Sequence, residues 1–125
     1  MAEALTLGEV LRRSTGYLEE AGSETARLDA ELLLGQALSL QRIELYMHLD
    51  RPLTPAELGR ARGLVARRGK REPLQYVLGS WGFRRLDLLV DPRALIPRPE
   101  TEIVVERALA RIAGLEAPRV LDVGT

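Results

Sequence analysis

The last six residues of the sequence combine an apolar run with an acidic residue and a glycine, as in loops that bind nucleoside-containing ligands. Residues 120–123 are apolar apart from Asp122, and Gly124 and Thr125 follow directly. Such a run is typical of a strand inside a parallel sheet, which is covered on both faces. A glycine after the strand lets the backbone turn tightly at the carboxyl end of the sheet, where open α/β folds bind nucleotides. We therefore predict a buried strand and a ligand loop, with the partner strands beyond Thr125; alternatively, Gly124 only ends a strand of a small α+β domain.

Composition predicts a globular protein without a disulfide framework or a metal site. Hydrophobic residues make up 46% and charged residues 29% of the chain, and no apolar run approaches the roughly 18 residues of a membrane span. The sequence has no Cys, and His48 is its single His. No signal peptide is visible, so we expect a cytoplasmic location. Residues 51–85 hold 9 basic against 2 acidic residues, whereas residues 1–50 hold 4 against 9, which favours either an acidic partner or internal charge complementarity.

Helical periodicity and capping signals predict an α-helical bundle over residues 1–77. Thr6 and Thr54 each precede a Glu by three residues and therefore begin helices with capping boxes, and Ser23 is expected to cap the second helix. That second helix is apolar over more than half of its circumference, which predicts a central position in the bundle. Two further short helices are predicted at residues 42–47 and 73–78.

Residues 78–91 are predicted to form a β-hairpin linker. Trp81 and Phe83 are two positions apart and therefore share one face of the strand, where we expect them to pack in the core or between domains. Residues 92–125 are predicted to open an α/β domain, beginning with an amphipathic helix over residues 100–112. The expected inward face of that helix comprises Ile103, Val104, Ala108 and Ile112.

Three segments follow one another in an order that carries a family resemblance. They read Arg-Glu-Pro-Leu-Gln-Tyr-Val-Leu-Gly at 71–79, Leu-Ile-Pro-Arg-Pro-Glu-Thr-Glu at 95–102 and Val-Leu-Asp-Val-Gly-Thr at 120–125. Together they resemble the HemK-type release factor glutamine methyltransferases. The Pro-Arg-Pro-Glu-Thr-Glu stretch is the most specific of the three, since Leu-Asp-Val-Gly-Thr occurs across many methyltransferases.

The resemblance implies a helical amino-terminal bundle, a β-hairpin connector and the first helix and strand of a Rossmann-like methyltransferase domain. It implies transfer of a methyl group from S-adenosylmethionine to the glutamine side chain of the Gly-Gly-Gln motif in peptide-chain release factors. Asp122, Gly124 and Thr125 match the strand and glycine loop that hold the methionine end of the cofactor. The family's ribose-binding acidic residue and its Asn-Pro-Pro-Tyr substrate clamp have no counterpart in this sequence, so we expect the chain to lack catalysis by itself.

Arg98 and Thr101 add two candidate cofactor contacts. Flanking prolines restrict the direction of Arg98 at low entropic cost, and the free N–H groups of the helix start that follows suit the carboxylate of the methionine moiety. Arg98 can pair with that carboxylate bidentately, and Thr101 places a hydroxyl in the cap region. The alternative is an ion pair between Arg98 and Glu100 or Glu102 that attaches the hairpin to the following domain.

Arg60, Arg67 and Arg71 recur at near-helical spacing away from the apolar stripe of the predicted fourth helix. We predict that they help dock the release factor by attracting an acidic surface; the alternative is a solvated face that balances the acidic residues of the first 50 positions. A second hypothesis makes residues 1–77 a docking module for protein or RNA without its own catalysis. A third, a DNA adenine methyltransferase, is disfavoured by zero net charge and the lack of a dominant basic stripe, so nucleic acid is not the expected partner.

Overall fold

The computed structural model describes residues 3–124, which form a helical amino-terminal domain, an antiparallel hairpin and one following helix. In chain order the elements are α1 (Leu7–Glu20), α2 (Ala26–Leu38), α3 (Arg42–Met47), α4 (Pro55–Gly69), α5 (Leu74–Leu78), β1 (Ser80–Phe83), β2 (Leu86–Leu89) and α6 (Pro99–Ile112). The predicted helical bundle and hairpin are confirmed. No helix among residues 3–124 is both long enough and apolar enough to cross a membrane.

Two helix starts form the capping boxes that their sequences predict. At α1 the Glu9 N–H donates to the Thr6 hydroxyl, while the Thr6 N–H donates to the Glu9 carboxylate at 2.9 Å. Thr54 and Glu57 repeat this exchange at α4, with Pro55 at the first helical position. Each box satisfies two N–H groups that a helix start otherwise leaves without partners.

The start of α2 differs from its prediction. The helix begins at Ala26 with Thr25 at the N-cap position, so Ser23 lies outside the cap, and its hydroxyl donates to the Asp29 carboxylate at 2.8 Å. The Thr25 hydroxyl donates to the other oxygen of the same carboxylate, also at 2.8 Å. The Ser23 hydroxyl oxygen accepts the Thr25 N–H at 3.3 Å instead of an N–H of the first turn of α2, so the predicted Ser23 cap was wrong.

The second helix is the centre of the bundle, as its apolar composition predicts. It packs against α1, α3, α4 and α5, and Ala30, Leu33 and Leu34 are completely buried. Leu7, Leu11 and Leu18 of α1, Leu45 of α3, Ala61 and Val65 of α4, and Leu74 and Val77 of α5 complete the core around it. Trp81 packs against the edge of this core, which confirms its assignment to packing.

The hairpin pairs Ser80 with Leu89 and Phe83 with Leu86, so Arg84 and Arg85 form a two-residue turn. Arg84 has φ +54°, in the left-handed region that such tight turns use. The hairpin is tied to the helical domain at its end, where the N–H of the buried Val90 donates to the Gly79 carbonyl at 3.1 Å.

Helix α6 and residues 120–123 are not buried by any element among residues 3–124. The proposed inward face of α6 is not buried among the described residues: Ile103 and Val104 are 54% and 65% exposed. Residues 120–123 form no strand, and their apolar side chains are 71–85% exposed. The physical reason is the same in both cases, since an amphipathic face or a strand is buried only by a neighbouring element, and residues 3–124 place none there.

Two glycines provide a matched test of the packing around α2. A Cβ at Gly35 would lie 2.6 Å from the Leu40 carbonyl oxygen, whereas a Cβ at Gly59 on α4 meets no atom within 4 Å. We expect Gly35→Ala to lower the free energy of unfolding by about 1–3 kcal/mol, because the backbone of the following turn must move. Gly59→Ala should raise it by about 0.5–1 kcal/mol through helix propensity. Urea unfolding measures both, and a change of the same sign in the two variants would contradict this description of the α2 packing.

Candidate functional site

Arg98 and Thr101 lie within one turn of each other at the start of α6. Arg98 is the residue before the helix, in extended backbone conformation, and its carbonyl accepts the Thr101 N–H at 3.1 Å. Both side chains are exposed. Within residues 3–124 Arg98 forms no ion pair, so the alternative that joined it to Glu100 or Glu102 was wrong.

The contact that joins α6 to the hairpin involves Arg84. The Arg84 N–H donates to the Glu102 carboxylate at 3.3 Å, and its guanidinium donates to the Glu102 carbonyl oxygen at 3.4 Å. Next to this contact, the groove between the hairpin and α6 is lined by Phe83 and Leu86 on one side and by Val105 and Leu109 on the other. The arginine side chain of Arg98 is therefore left available at the helix start.

The second candidate segment has a conformation suited to a turn. Gly124 has φ +84°, where residues with a Cβ are strained, and this is the geometry that the predicted loop requires. Asp122 is exposed, and Thr125 lies outside the described residues. Among residues 3–124 no hydrogen bond joins this segment to Arg98 or Thr101.

The loop before Arg98 is organised by a local turn. The Asp91 carboxylate accepts the Arg93 N–H at 2.9 Å and the Arg93 guanidinium at 2.7 Å, and the Ala94 N–H donates to the Asp91 carbonyl at 3.1 Å. The Arg93 side chain, and then its backbone N–H, lower the pKa of Asp91 to about 2. The carboxylate therefore stays ionised at neutral pH, and the turn persists there.

One side chain of the helical domain reaches this loop. The hydroxyl of Tyr76 on α5 donates to the Ala94 carbonyl at 2.7 Å. The two residues are 18 positions apart in the chain, a separation at which no local pattern predicts a contact. Sequence reasoning missed Tyr76 for that reason, although it stands within the Arg-Glu-Pro-Leu-Gln-Tyr segment.

The three arginines predicted to dock a partner each make a contact within the domain. Arg60 donates to the Ala37 carbonyl at 3.0 Å, and Arg71 donates to the Ala21 carbonyl at 3.1 Å. Arg67 forms a bidentate pair with Glu72, with N–O distances of 2.9 and 2.6 Å; this hydrogen bonding raises the pKa of Arg67 and lowers that of Glu72. All three side chains remain exposed, and each guanidinium has further N–H donors.

Sequence analysis also missed two buried carboxylates on α2. Asp29 and Glu31 are only 1% and 3% exposed. Besides the two hydroxyls described above, Asp29 accepts the guanidinium of Arg68 on α4 at 2.8 Å. The signal that could have found them is an acidic residue on either side of Ala30 in an otherwise apolar helix, because buried charges need partners.

Glu31 is surrounded by three donors from two helices. Arg27 of α2 and Arg42 of α3 approach it at 3.1 and 2.8 Å, and the Tyr46 hydroxyl donates to the same carboxylate. Burial acts to raise the pKa of Glu31, but the hydrogen bonds from Tyr46, Arg42 and Arg27 outweigh burial, and the pKa is lowered. The carboxylate is therefore ionised and joins α2 to α3.

Comparison with known proteins agrees with this helical architecture. The PrmC N-terminal domain family matches residues 9–79, more than half of the chain. The chain belongs to this family. The matched range begins in α1, ends directly after α5, and therefore includes both buried carboxylates and their partners.

Several curated relatives extend the similarity across nearly the whole chain. A protein named release factor glutamine methyltransferase from Geobacter sulfurreducens is 53% identical over 98% of this chain. Proteins of the same name from Chlorobaculum tepidum and Moorella thermoacetica are each 44% identical, over 94% and 95% of it. The match covers 42%, 42% and 41% of these relatives, so the chain spans about two fifths of their length.

The Glu31 cluster predicts a pH dependence of stability. Because the folded-state pKa of Glu31 is below its ordinary value of 4.5, the ionised group stabilises the fold above about pH 4.5, and this stabilisation is lost as the pH falls through the lower, folded-state pKa. Glu31→Gln should lower the free energy of unfolding by about 1–3 kcal/mol at pH 7. It should also flatten the decline between pH 5 and pH 3 measured by urea unfolding.

Glu20→Gln is the matched control, since Glu20 is exposed on α1. We expect it to change stability by less than about 0.5 kcal/mol at either pH. If Glu31→Gln left both the stability at pH 7 and the acid decline unchanged, the proposed role of the cluster in joining α2 to α3 would be wrong.

Proposed function

We propose that this chain is the amino-terminal part of an S-adenosylmethionine-dependent methyltransferase, which modifies the glutamine of the Gly-Gly-Gln motif in peptide-chain release factors. The observation that carries the proposal is the 53% identity to a release factor glutamine methyltransferase over 98% of the chain. Transfer to a release factor places the protein in the cytoplasm. Similarity of this level extends through Arg98 and Asp122, which lie outside the range matched by the helical family.

We propose further that residues 92–125 open a Rossmann-like domain. Support comes from the exposed apolar side chains of α6 and of residues 120–123. The apolar side of a helix or strand is ordinarily covered by a neighbouring layer of secondary structure. The left-handed backbone at Gly124 is the conformation that a tight turn after a strand needs.

In this proposal Arg98, Thr101, Asp122, Gly124 and Thr125 contact the methionine end of the cofactor. The exposed guanidinium of Arg98 suits a carboxylate, and Arg98 directly precedes the start of α6, where helix N–H groups favour an anion. S-adenosylmethionine supplies an electrophilic methyl group, so the protein chiefly has to orient the two reactants. The residues of this chain would then bind and aim the cofactor, while the groups that hold the substrate amide belong to later motifs.

The proposal predicts that methyl transfer requires more than this chain. Incubated with radiolabelled S-adenosylmethionine and a release factor, the full-length protein should label the factor, and the 125-residue chain should not. A factor in which the Gly-Gly-Gln glutamine is replaced by alanine is the control and should stay unlabelled. Labelling of the replaced factor would contradict the proposed substrate, and labelling by the short chain would contradict its incompleteness.

We propose a docking role for residues 1–77, with residues 78–91 as the hairpin linker. Self-contained packing supports it, since every buried member of the main hydrophobic cluster lies between Leu7 and Val77, and Val90 is the one buried apolar side chain in residues 78–124. Arg60, Arg67 and Arg71 would attract an acidic surface of the factor. They would use the guanidinium N–H groups that are not engaged in their contacts within the domain. This docking module, without catalysis of its own, is also the second candidate function.

A peptide of residues 1–77 should accordingly fold and bind the release factor, more weakly as salt is raised, because surface charges are screened. Arg60→Gln and Arg67→Gln together should weaken binding by about three- to tenfold, as loss of one or two charged contacts does. Isothermal titration calorimetry measures the affinity, and Arg12→Gln on α1, an exposed arginine, is the control. Unchanged affinity in the double variant at low salt would exclude these arginines from docking.

A further inference from the structure

We propose that Tyr76 is a positioning residue, which holds the loop of residues 91–98 on the helical domain and thereby sets the location of Arg98. The inference rests on the proposed function for the role of Arg98. The tether itself rests on geometry, because the Tyr76 hydroxyl donates to the Ala94 carbonyl at 2.7 Å.

This contact is the single hydrogen bond between residues 3–79 and residues 91–98. The nearest other attachment is the Val90 N–H on the Gly79 carbonyl, before the loop begins. Between these points the loop is exposed for most of its length, and Leu95 is 78% exposed. Tyr76 is therefore the contact through which the helical domain restrains the residues leading to Arg98.

The base of the tether is rigid. Tyr76 belongs to α5, where its N–H donates to the Pro73 carbonyl at 3.0 Å, and the neighbouring Leu74 and Val77 are buried in the core. A phenol has only two side-chain torsions before its hydroxyl, so holding it costs little conformational entropy. The hydroxyl position consequently follows the helical domain.

Chain length shows how much the tether restricts Arg98. Arg98 lies four residues after Ala94 and eight after Val90, and an extended chain spans at most about 3.5 Å per residue. Arg98 can therefore move within a radius of about 14 Å of a fixed Ala94, but within about 28 Å if only Val90 is fixed. Halving the radius reduces the accessible volume about eightfold. On the other side of Arg98, the Glu102 contact with Arg84 adds a second restraint.

The tether contributes to loop position more than to the stability of the fold. The hydrogen bond is exposed to solvent, where water replaces a lost partner at little cost, and Ala94 belongs to no core cluster. A Tyr76→Phe change should thus leave the helical domain intact and act on the affinity for a ligand that Arg98 binds.

The experiment compares Tyr76→Phe with Tyr46→Phe in the full-length protein. Both changes remove one hydroxyl that is hydrogen-bonded, but the Tyr46 hydroxyl bonds to Glu31 inside the helical domain. Arg98→Gln is included to report on the cofactor site itself. Calorimetry gives the dissociation constant for S-adenosylmethionine, steady-state assays give KM and kcat, and backbone NMR order parameters at Leu95, Ile96 and Arg98 of the 125-residue chain report loop mobility independently of activity.

We expect Tyr76→Phe to raise the dissociation constant and the KM for S-adenosylmethionine by about three- to tenfold, with kcat at saturation nearly unchanged. The order parameters at the three loop residues should fall. Tyr46→Phe should lower the thermal midpoint while leaving the affinity and the loop unchanged. This pattern would support the inference.

Three outcomes overturn it. Unchanged order parameters in Tyr76→Phe would show that the contact does not restrain the loop. Unchanged affinity in Tyr76→Phe, with affinity lost in Arg98→Gln, would show that the tether does not act on the cofactor site. An equal loss in Tyr76→Phe and Tyr46→Phe would assign the effect to general destabilisation. By contrast, normal binding in Arg98→Gln, or no binding by the unmodified protein, would contradict the proposed function, and the order parameters would still decide whether Tyr76 restrains the loop.

Discussion

The helical domain depends on satisfying two carboxylates inside its central helix. Asp29 and Glu31 are both almost completely buried, and an unpaired buried charge costs several kcal/mol. Their partners come from different elements: Arg68 from α4, Arg42 from α3 and Arg27 from α2 itself. Apolar packing around α2 is non-directional, whereas the ion pairs require Arg42 and Arg68 to lie next to their carboxylates. The carboxylates therefore specify how α3 and α4 are arranged around α2.

The same constraint extends toward the loop that ends at Arg98 through a short series of contacts. Arg68 fixes the end of α4 on α2, and its guanidinium also donates to the Glu72 carbonyl at 3.1 Å. The short helix α5 follows immediately and carries Tyr76, which bonds to Ala94. Arg98 is thus connected to the centre of the bundle through one ion pair, one partly buried hydrogen bond and one exposed hydrogen bond.

Local chemistry explains which features the sequence could predict. Thr6 begins its helix as expected and Gly124 adopts a turn conformation, because capping and left-handed backbone depend on a few adjacent residues. Ser23 was assigned wrongly because its partner is the side chain of Asp29, whose own ion pair spans 39 positions to α4. The exposure of Ile103 was also unpredictable, since spacing identifies an apolar face but not the element that covers it. For the same reason the cofactor contacts could be proposed from motifs, while the tether from the helical domain could not.

The confinement of the core to the residues between Leu7 and Val77 has a consequence for synthesis. The remaining 48 residues, 78 to 125, take about 2–10 s to translate at about 5–20 residues per second. A helical domain built from mostly local contacts folds in microseconds to milliseconds. Because the chain emerges from its amino terminus, the bundle residues leave the ribosome seconds before the hairpin and α6 do, and the bundle has time to fold first. These later segments emerge beside a finished surface that already presents the Tyr76 hydroxyl, so the loop meets its anchor as a nascent chain.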